Sequence, residues 1–358
     1  MKKIILTGGG TAGHIYPALS LVPLLEKEYE IFYIGGNGME KEILKDFKNI
    51  KFYEIPVVKL ERKLTLKNFL IPFKLIKSIK KSRQILKEIK PDIIFSKGGF
   101  VSVPTVIAGH NEKIPVISHE SDLTMGLANK IILHYCNIMC TTFYETSKKN
   151  KKCIYTGQPI RDKIFKGNSK KIIDKFSNHN LPILLILGGS SGAKFINKII
   201  YENIEILSEK FNIIHICGKK NYKEFEHKNY IQIPYADNIQ DYYKACNYVI
   251  SRAGSGVINE LIILNKPTLL IPLSKKCSRG DQIENAKLFS NLNYSYTLFE
   301  EDYTPTRFLN SLDNLVKNKD FLIKNMKNFT KINANQEIFN LIKKNSWFYI
   351  FKYLLIWG

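Results

Sequence analysis

An apolar run, a glycine-rich turn and a helical pattern follow one another twice in this chain, and no other feature narrows the fold as far. The first instance is "IILTGGGTAGHIYPALS" from Ile4; the second is "PILLILGGSSGAKFIN" from Pro182. A strand that feeds a helix through a glycine loop is the opening unit of a parallel sheet with helices on both faces. Short β-branched runs continue the pattern. In the first half they are Lys3–Thr7, Glu30–Ile34, Lys51–Ile55, Asp92–Ser96, Val116–His119, Ile138–Thr142 and Cys153–Thr156. Helical patterns at Gly38–Phe47, Phe73–Ile89 and Ala128–Tyr135 fall between them. In the second half the runs are Asn212–Cys217, Tyr230–Ile233, Tyr248–Ser251 and Thr268–Ile271. The polar stretch from Arg161 to Pro182 reads as a linker and the start of a second domain. At roughly 150 residues per domain, 358 residues predict two, and 44 % hydrophobic residues predict globular ones. The expected class is α/β, with two doubly wound Rossmann-like domains facing across a cleft. The expected divisions are 1–161, 162–340 and a tail, 341–358. Ligands of such sheets bind beyond the carboxyl ends of the strands.

Gly8, Gly10 and Gly13 satisfy G-x-G-x-x-G, which alone is weak evidence for a dinucleotide. That reading needs an acidic residue about 20 positions on, at the end of the second strand. Here the strand ends "FYIGGNG", without Asp or Glu, which disfavours a nicotinamide or flavin enzyme. The glycines still present backbone N–H groups at a helix start, where negative charge is favoured. Three further loops resemble it: "SKGGFVSVP" from Ser96, "GGSSGA" from Gly188 and "SRAGSGVINE" from Ser251. Ser190 and Ser191 suit a diphosphate. Glu260, about one turn into the helix after the fourth loop, suits a ribose diol or is simply a solvated carboxylate. Arg161, just past the last strand of the first half, suits phosphate or solvent. "SHESD" puts His119, Glu120 and Asp122 at a strand end, where polar residues serve sites more often than cores. No D-x-D pair stands ready for a divalent ion on a nucleotide diphosphate, so no metal is expected.

The formal net charge is +22, from 54 Lys and Arg against 32 Asp and Glu. It fits a polyanionic partner or a general lysine bias. The six cysteines are scattered without a C-x-x-C pair, as reduced thiols of the cytosol are. No run approaches the ~18 apolar residues of a membrane span, and the N-terminal apolar stretch is too short for a signal peptide.

Taken in order, "GGGTAGHIYPALS", "SKGGFVSVP", "HESD" with "GLANK", "GQPIR", "LGGSSGAKFIN", "RAGSGVINE" and "DQIENA" resemble the MurG family, the N-acetylglucosaminyltransferases of peptidoglycan synthesis. The resemblance runs from about Lys2 to Lys344. It implies the two-domain GT-B architecture and no cofactor. The implied reaction moves N-acetylglucosamine from UDP-N-acetylglucosamine to the C4 hydroxyl of the lipid-linked muramoyl-pentapeptide, inverting the anomeric centre. Carried onto this sequence, the resemblance places Thr11, Ala12 and Gly13 against the donor sugar and diphosphate. It implies Arg161 and Ser190 in diphosphate binding, Glu260 at the ribose and Gln282 at the sugar hydroxyls. Ala236 falls where a backbone contact reads the uracil edge, and His14 matches the candidate general base. The familiar form of "HESD" carries asparagine where this chain has Asp122, whose ionised carboxylate only accepts hydrogen bonds.

An imidazole titrates near neutral pH, where a general base works best. Backbone N–H groups would stabilise the departing UDP. The acceptor's lipid lies in the membrane, so an anionic membrane surface is an expected partner, approached from the cytoplasmic face. Lys59–Lys90 holds eleven Lys and Arg and two Glu, with Leu64, Leu66, Phe69, Leu70, Ile71 and Phe73 among them. That suits anionic headgroups, or else a core helix with a lysine face. Charge concentrated there weakens a nucleic-acid reading, and no nucleic-acid partner is expected. The tail "SWFYIFKYLLIWG" lies beyond the resemblance and either packs on the first domain or lies in the membrane interface. Two rivals stay open: another GT-B enzyme or a UDP-N-acetylglucosamine epimerase, and a nucleic-acid binder.

Overall fold

The computed structural model describes residues 1–57, 71–189, 192–329 and 332–354. By its contacts the chain divides into two compact units, Met1–Arg161 with Ile332–Gly358, and Asp162–Lys331.

The first unit holds a parallel sheet of seven strands: β1 (Lys2–Thr7), β2 (Tyr29–Gly35), β3 (Lys51–Glu54), β4 (Ile93–Ser96), β5 (Val116–Glu120), β6 (Ile138–Thr141) and β7 (Cys153–Tyr155). Their spatial order is β3-β2-β1-β4-β5-β6-β7. Side chains alternate across a strand, so β1 sends Ile4 and Leu6 into one core and Ile5 into the other. Helices cover both faces, which is why these strands read as near-continuous apolar runs rather than alternating ones. Strand order reverses between β1 and β4, whose ends pair in register at Thr7 and Ser96. At such a switch point two consecutive loops part and leave a crevice. The loops that leave it are the first two glycine loops.

The second unit repeats the design. Its strands are β8 (Ile183–Leu187), β9 (Asn212–Ile216), β10 (Tyr230–Ile233), β11 (Tyr248–Ser251), β12 (Thr268–Leu270) and β13 (Tyr296–Thr297), in the order β10-β9-β8-β11-β12-β13, all parallel. The reversal falls between β8 and β11, paired at Leu187 and Ser251. The other two glycine loops leave from there. Each half is thus a doubly wound Rossmann-like domain with its glycine loops at its own switch point.

Three differences from the sequence expectation have physical reasons. The second unit ends at Lys331 rather than at 340, because Ile338, Phe339 and Ile342 bury themselves in the core of the first sheet. Asn335 fixes this return: its side chain accepts from Ile160 N (3.2 Å) and donates to Ile160 O (2.7 Å). The stretch after Arg161 opens the second unit, as expected, but is not a linker, since Ile172 and Phe176 pack into the core of that unit. The strand β13 is two residues long, too short to leave a period-2 pattern. Residues 341–354 of the tail belong to the helix Ala334–Leu354, which Tyr29 anchors at Ser346 through an oxygen–oxygen hydrogen bond of 2.7 Å.

Candidate active site

The loop after β1 turns at Gly10 (φ +83°) and enters the helix Ala12–Leu19 with Thr11 as its N-cap. Thr11, Ala12, Gly13 and His14 therefore fall in the first turn, where N–H groups lack helical partners. Thr11 and Gly13 are exposed; His14 is half-buried, its own N–H on Thr11 O at 3.0 Å. The second loop closes on the histidine. Gly98 and Gly99 take φ +86° and +82°, and a Cβ on Gly99 would lie 2.9 Å from Gly9 O and 3.3 Å from His14 Cδ2. Only glycine allows this approach. Arg161 also comes to the same helix, its guanidinium 4.3 Å above the Tyr16 ring.

Beside these loops lies a buried polar layer whose members do different work. Lys97 is fully buried and donates to Ser121 Oγ. Burial pushes its ammonium down to about 8, against the pull of Glu120 and Asp122. Ser121 donates in turn to Gln158 Oε1 at 3.1 Å. His119 is also fully buried, with Nε2 on Gly157 O at 2.9 Å, and burial drives its pKa well below the ordinary histidine value. Glu120 accepts from the N–H groups of Asp122 (2.9 Å) and Gly126 (3.0 Å) and from Asn129 Nδ2 (3.0 Å). His119 and Glu120 thus build the strand end and hold the loop that carries Asp122.

The acidic residue absent from the end of β2 stands two positions beyond "FYIGGNG". Glu40 is buried, 1 % exposed. It does not await a ribose. Its oxygens accept the N–H of Gly36 at 2.9 Å and of Gly10 at 3.3 Å. Neither Glu40 nor Lys97 stands out in the sequence, since Gly10 and Ser121, which they meet, lie in distant segments.

In the second unit Gly189 and Gly192 (φ +78° and +75°) shape the loop after β8. Ser190 and Ser191 lie outside the described residues. Gly254 caps the helix Ser255–Ile263, which carries Glu260; Tyr243 donates to Glu260 Oε2 at 3.0 Å. Ala236 follows β10, half-buried against the core of the unit. Gln282 is the second residue of the helix Asp281–Asn291 and accepts from Leu273 N at 3.0 Å. Arg252, at the end of β11, is paired with Glu300 at 2.6 Å. Its charge is thus already matched within the protein. Among the described residues no three His, Cys, Asp or Glu side chains gather as a metal would require.

Comparison with known proteins adds the chemistry. Residues 4–141 match the glycosyltransferase family 28 N-terminal domain, and residues 183–344 match the family 28 C-terminal domain. A Clostridium tetani protein is 52 % identical over 352 residues, covering 96 % of this chain and 98 % of its own. The chain belongs to glycosyltransferase family 28. That relative is named UDP-N-acetylglucosamine--N-acetylmuramyl-(pentapeptide) pyrophosphoryl-undecaprenol N-acetylglucosamine transferase. A Clostridium botulinum protein of the same name is 49 % identical over 96 % of this chain. Among solved structures, MurG of Acinetobacter baumannii superposes with a TM-score of 0.74 at 23 % identity, over 96 % of this chain and all of that one. The UDP-GlcNAc 2-epimerase of Neisseria meningitidis shares the fold too, with a TM-score of 0.66 at 14 % identity. The architecture of this family 28 chain is therefore GT-B. The epimerase likeness is one of fold alone, whereas the transferases match along the sequence.

Proposed function

We propose that this chain transfers N-acetylglucosamine from UDP-N-acetylglucosamine to the C4 hydroxyl of the undecaprenyl-diphospho-muramoyl-pentapeptide, with inversion. The observation that carries the reaction is identity of about half along the full length of transferases so named. The residues present suit the chemistry. His14 takes the proton of the acceptor hydroxyl as it attacks. It is the half-buried imidazole at the first switch point, whereas His119 is buried and Glu120 is committed to its own loop. Thr11, Ala12 and Gly13 lie along the transferred sugar, and Asp122 lies at its C4 hydroxyl. Glu260 accepts from the ribose, Ala236 offers backbone to the uracil edge, and Gln282 donates its amide N–H to the sugar. Arg161 and the loop containing Ser190 take the diphosphate as its charge grows.

We also propose that the enzyme works against the cytoplasmic membrane surface. The helix Ile71–Ile89 supports this. Its C-terminal half buries Ile85, Leu86 and Ile89, as a core helix does. Its first turns leave Phe73 and Ile76 exposed (71 % and 52 %), among the exposed Lys74, Lys77, Lys80 and Lys81. Apolar side chains ringed by lysines fit an anionic lipid surface. Leu64, Leu66, Phe69 and Leu70, expected in the same patch, lie outside the described residues. Among the described residues no helix is long and apolar enough to cross a membrane.

Release of UDP, measured with and without the lipid-linked acceptor, tests the reaction. Turnover that depends on the acceptor supports it. Acceptor-independent loss of UDP-N-acetylglucosamine, or formation of its 2-epimer, contradicts it.

A further inference from the structure

The loop after β1 has the form of an anion site, and the protein fills it with its own carboxylate. Glu40 reaches it from the first turn of the short helix Met39–Leu44. Its two oxygens accept from Gly10 N (3.3 Å) and Gly36 N (2.9 Å), one amide from each of two glycine turns. The fit is tight on every side. A Cβ on Gly9 would stand 2.7 Å from Glu40 Oε1, one on Gly35 2.9 Å from Glu40 Cγ, and one on Gly36 3.0 Å from Glu40 Oε1. The loop is tied down at its start as well, since Tyr33 Oη donates to Gly8 O at 2.6 Å. A loop of consecutive glycines has more backbone freedom to lose than any other sequence. Something must hold it if the side chain at its end is to keep one position. His14 rests on this loop: a Cβ on Gly8 would stand 2.8 Å from His14 O, and Gly9 O and the His14 ring both bear on Gly99.

We propose that Glu40 is a positioning residue for His14. Its carboxylate occupies the anion site of the first glycine loop, and the Gly10 amide thereby serves the protein instead of the nucleotide diphosphate. The inference rests on His14 as the base and adds what keeps the base in place. Small displacements of a reacting group are costly, about 10²-fold for 1 Å.

The test compares Glu40→Ala, Glu40→Gln, Glu40→Asp and His14→Ala in the acceptor-dependent assay, with donor binding by calorimetry. Glu40→Ala should lose about 10² in kcat with an unchanged Kd for UDP-N-acetylglucosamine. Added formate, a carboxylate small enough for the vacated site, should restore much of that kcat, and chloride at the same ionic strength should not. Glu40→Asp should outperform Glu40→Gln, because a side-chain amide replaces one acceptor with a donor facing an N–H. Should Glu40→Ala fail to fold, the Asp and Gln variants decide by the same split between kcat and Kd. The proposal is overturned by parental kcat in Glu40→Gln, by a loss that neither formate nor aspartate relieves, or by a loss expressed in donor Kd. An active His14→Ala instead removes the base reading, whatever the Glu40 variants do.

Discussion

The glycine loops after β1 and at the second unit's switch point are alike in being glycine-rich turns into helices, yet different things lie against their glycines. In the first unit, added Cβ atoms on Gly8, Gly9 and Gly99 would strike His14 O, the Glu40 carboxylate and Gly9 O, all within 3 Å. In the second unit, Cβ atoms on Gly188 and Gly192 would strike Ala193 N at 2.4 Å and Cys217 O at 2.1 Å, but those on Gly189, Gly254 and Gly256, like one on Gly10 of the first loop, would meet nothing within 4 Å. Glycine permits a close approach of backbone to something. In the first loop that something is largely the protein itself, and the product is a fixed histidine. In the second unit, Gly189, Gly254 and Gly256 leave open space of the kind a nucleotide diphosphate needs at a helix start. The first glycine loop thus suits the holding of His14, and the open glycines of the second unit suit the nucleotide of the proposed donor.

The largest expected effect falls on the first half. His14→Ala should lower kcat by roughly 10²–10⁴, remove the acid limb of the pH–rate profile, and leave donor affinity in calorimetry unchanged. A parallel loss of donor binding would erase the division between the two loops. The mirror experiment is Glu260→Gln. Losing a charged acceptor should weaken donor binding by about ten- to a hundredfold without moving the pH profile. A shifted acid limb at constant affinity would put Glu260 among the groups that move the proton.

Much of this was legible in the sequence. The alternation of β-branched runs with helical patterns marked every strand of the first sheet, and the glycine loops sit at the two switch points because parallel sheets put loops there. His14 and Thr11 stand out at the end of the first loop, and Glu260 in the helix after the fourth. Glu40 was not. A dinucleotide site needs an acid at the end of β2 to hold a ribose, and none stands in "FYIGGNG"; Glu40, two positions on, instead meets the Gly36 amide and one 30 positions earlier, Gly10, which no local pattern encodes. Lys97 was hidden for a similar reason: only the packed sheet shows that a lysine inside "SKGGF" is fully buried against Ser121. The return of the last helix to the first unit depends on Asn335 meeting Ile160, a contact between remote segments.

Two smaller effects sharpen the contrast. Replacing both Lys74 and Lys77 by glutamate should weaken association with anionic vesicles, each lysine near such a surface contributing about 1 kcal/mol. Donor affinity should stay constant; unchanged co-sedimentation at low salt would make that stretch a plain helix face. Lys97 offers a pH test of the buried layer beside the first loops. Burial holds it at about 8 when folded, against an ordinary 10.5, so between these values the unfolded chain binds more protons. Stability contributed by this site therefore rises with pH across that window. The Tm of the parent should gain on that of Lys97→Met between pH 8 and 10.5. A constant difference would mean that the lysine is not desolvated.

The most direct measurement compares two alanine substitutions, reading Tm, Kd for UDP-N-acetylglucosamine and kcat together. Gly9→Ala drives a methyl into Glu40, 2.7 Å from Oε1. It should cost about 1–3 kcal/mol of stability and much of kcat, with Kd unchanged. Gly256→Ala adds a methyl to a helical position with nothing within 4 Å. It should gain about 0.5–1 kcal/mol of stability and yet weaken donor binding, the space it fills being that proposed for the donor. The reverse pattern, donor affinity lost in Gly9→Ala and kept in Gly256→Ala, would contradict the division of labour between the two loops.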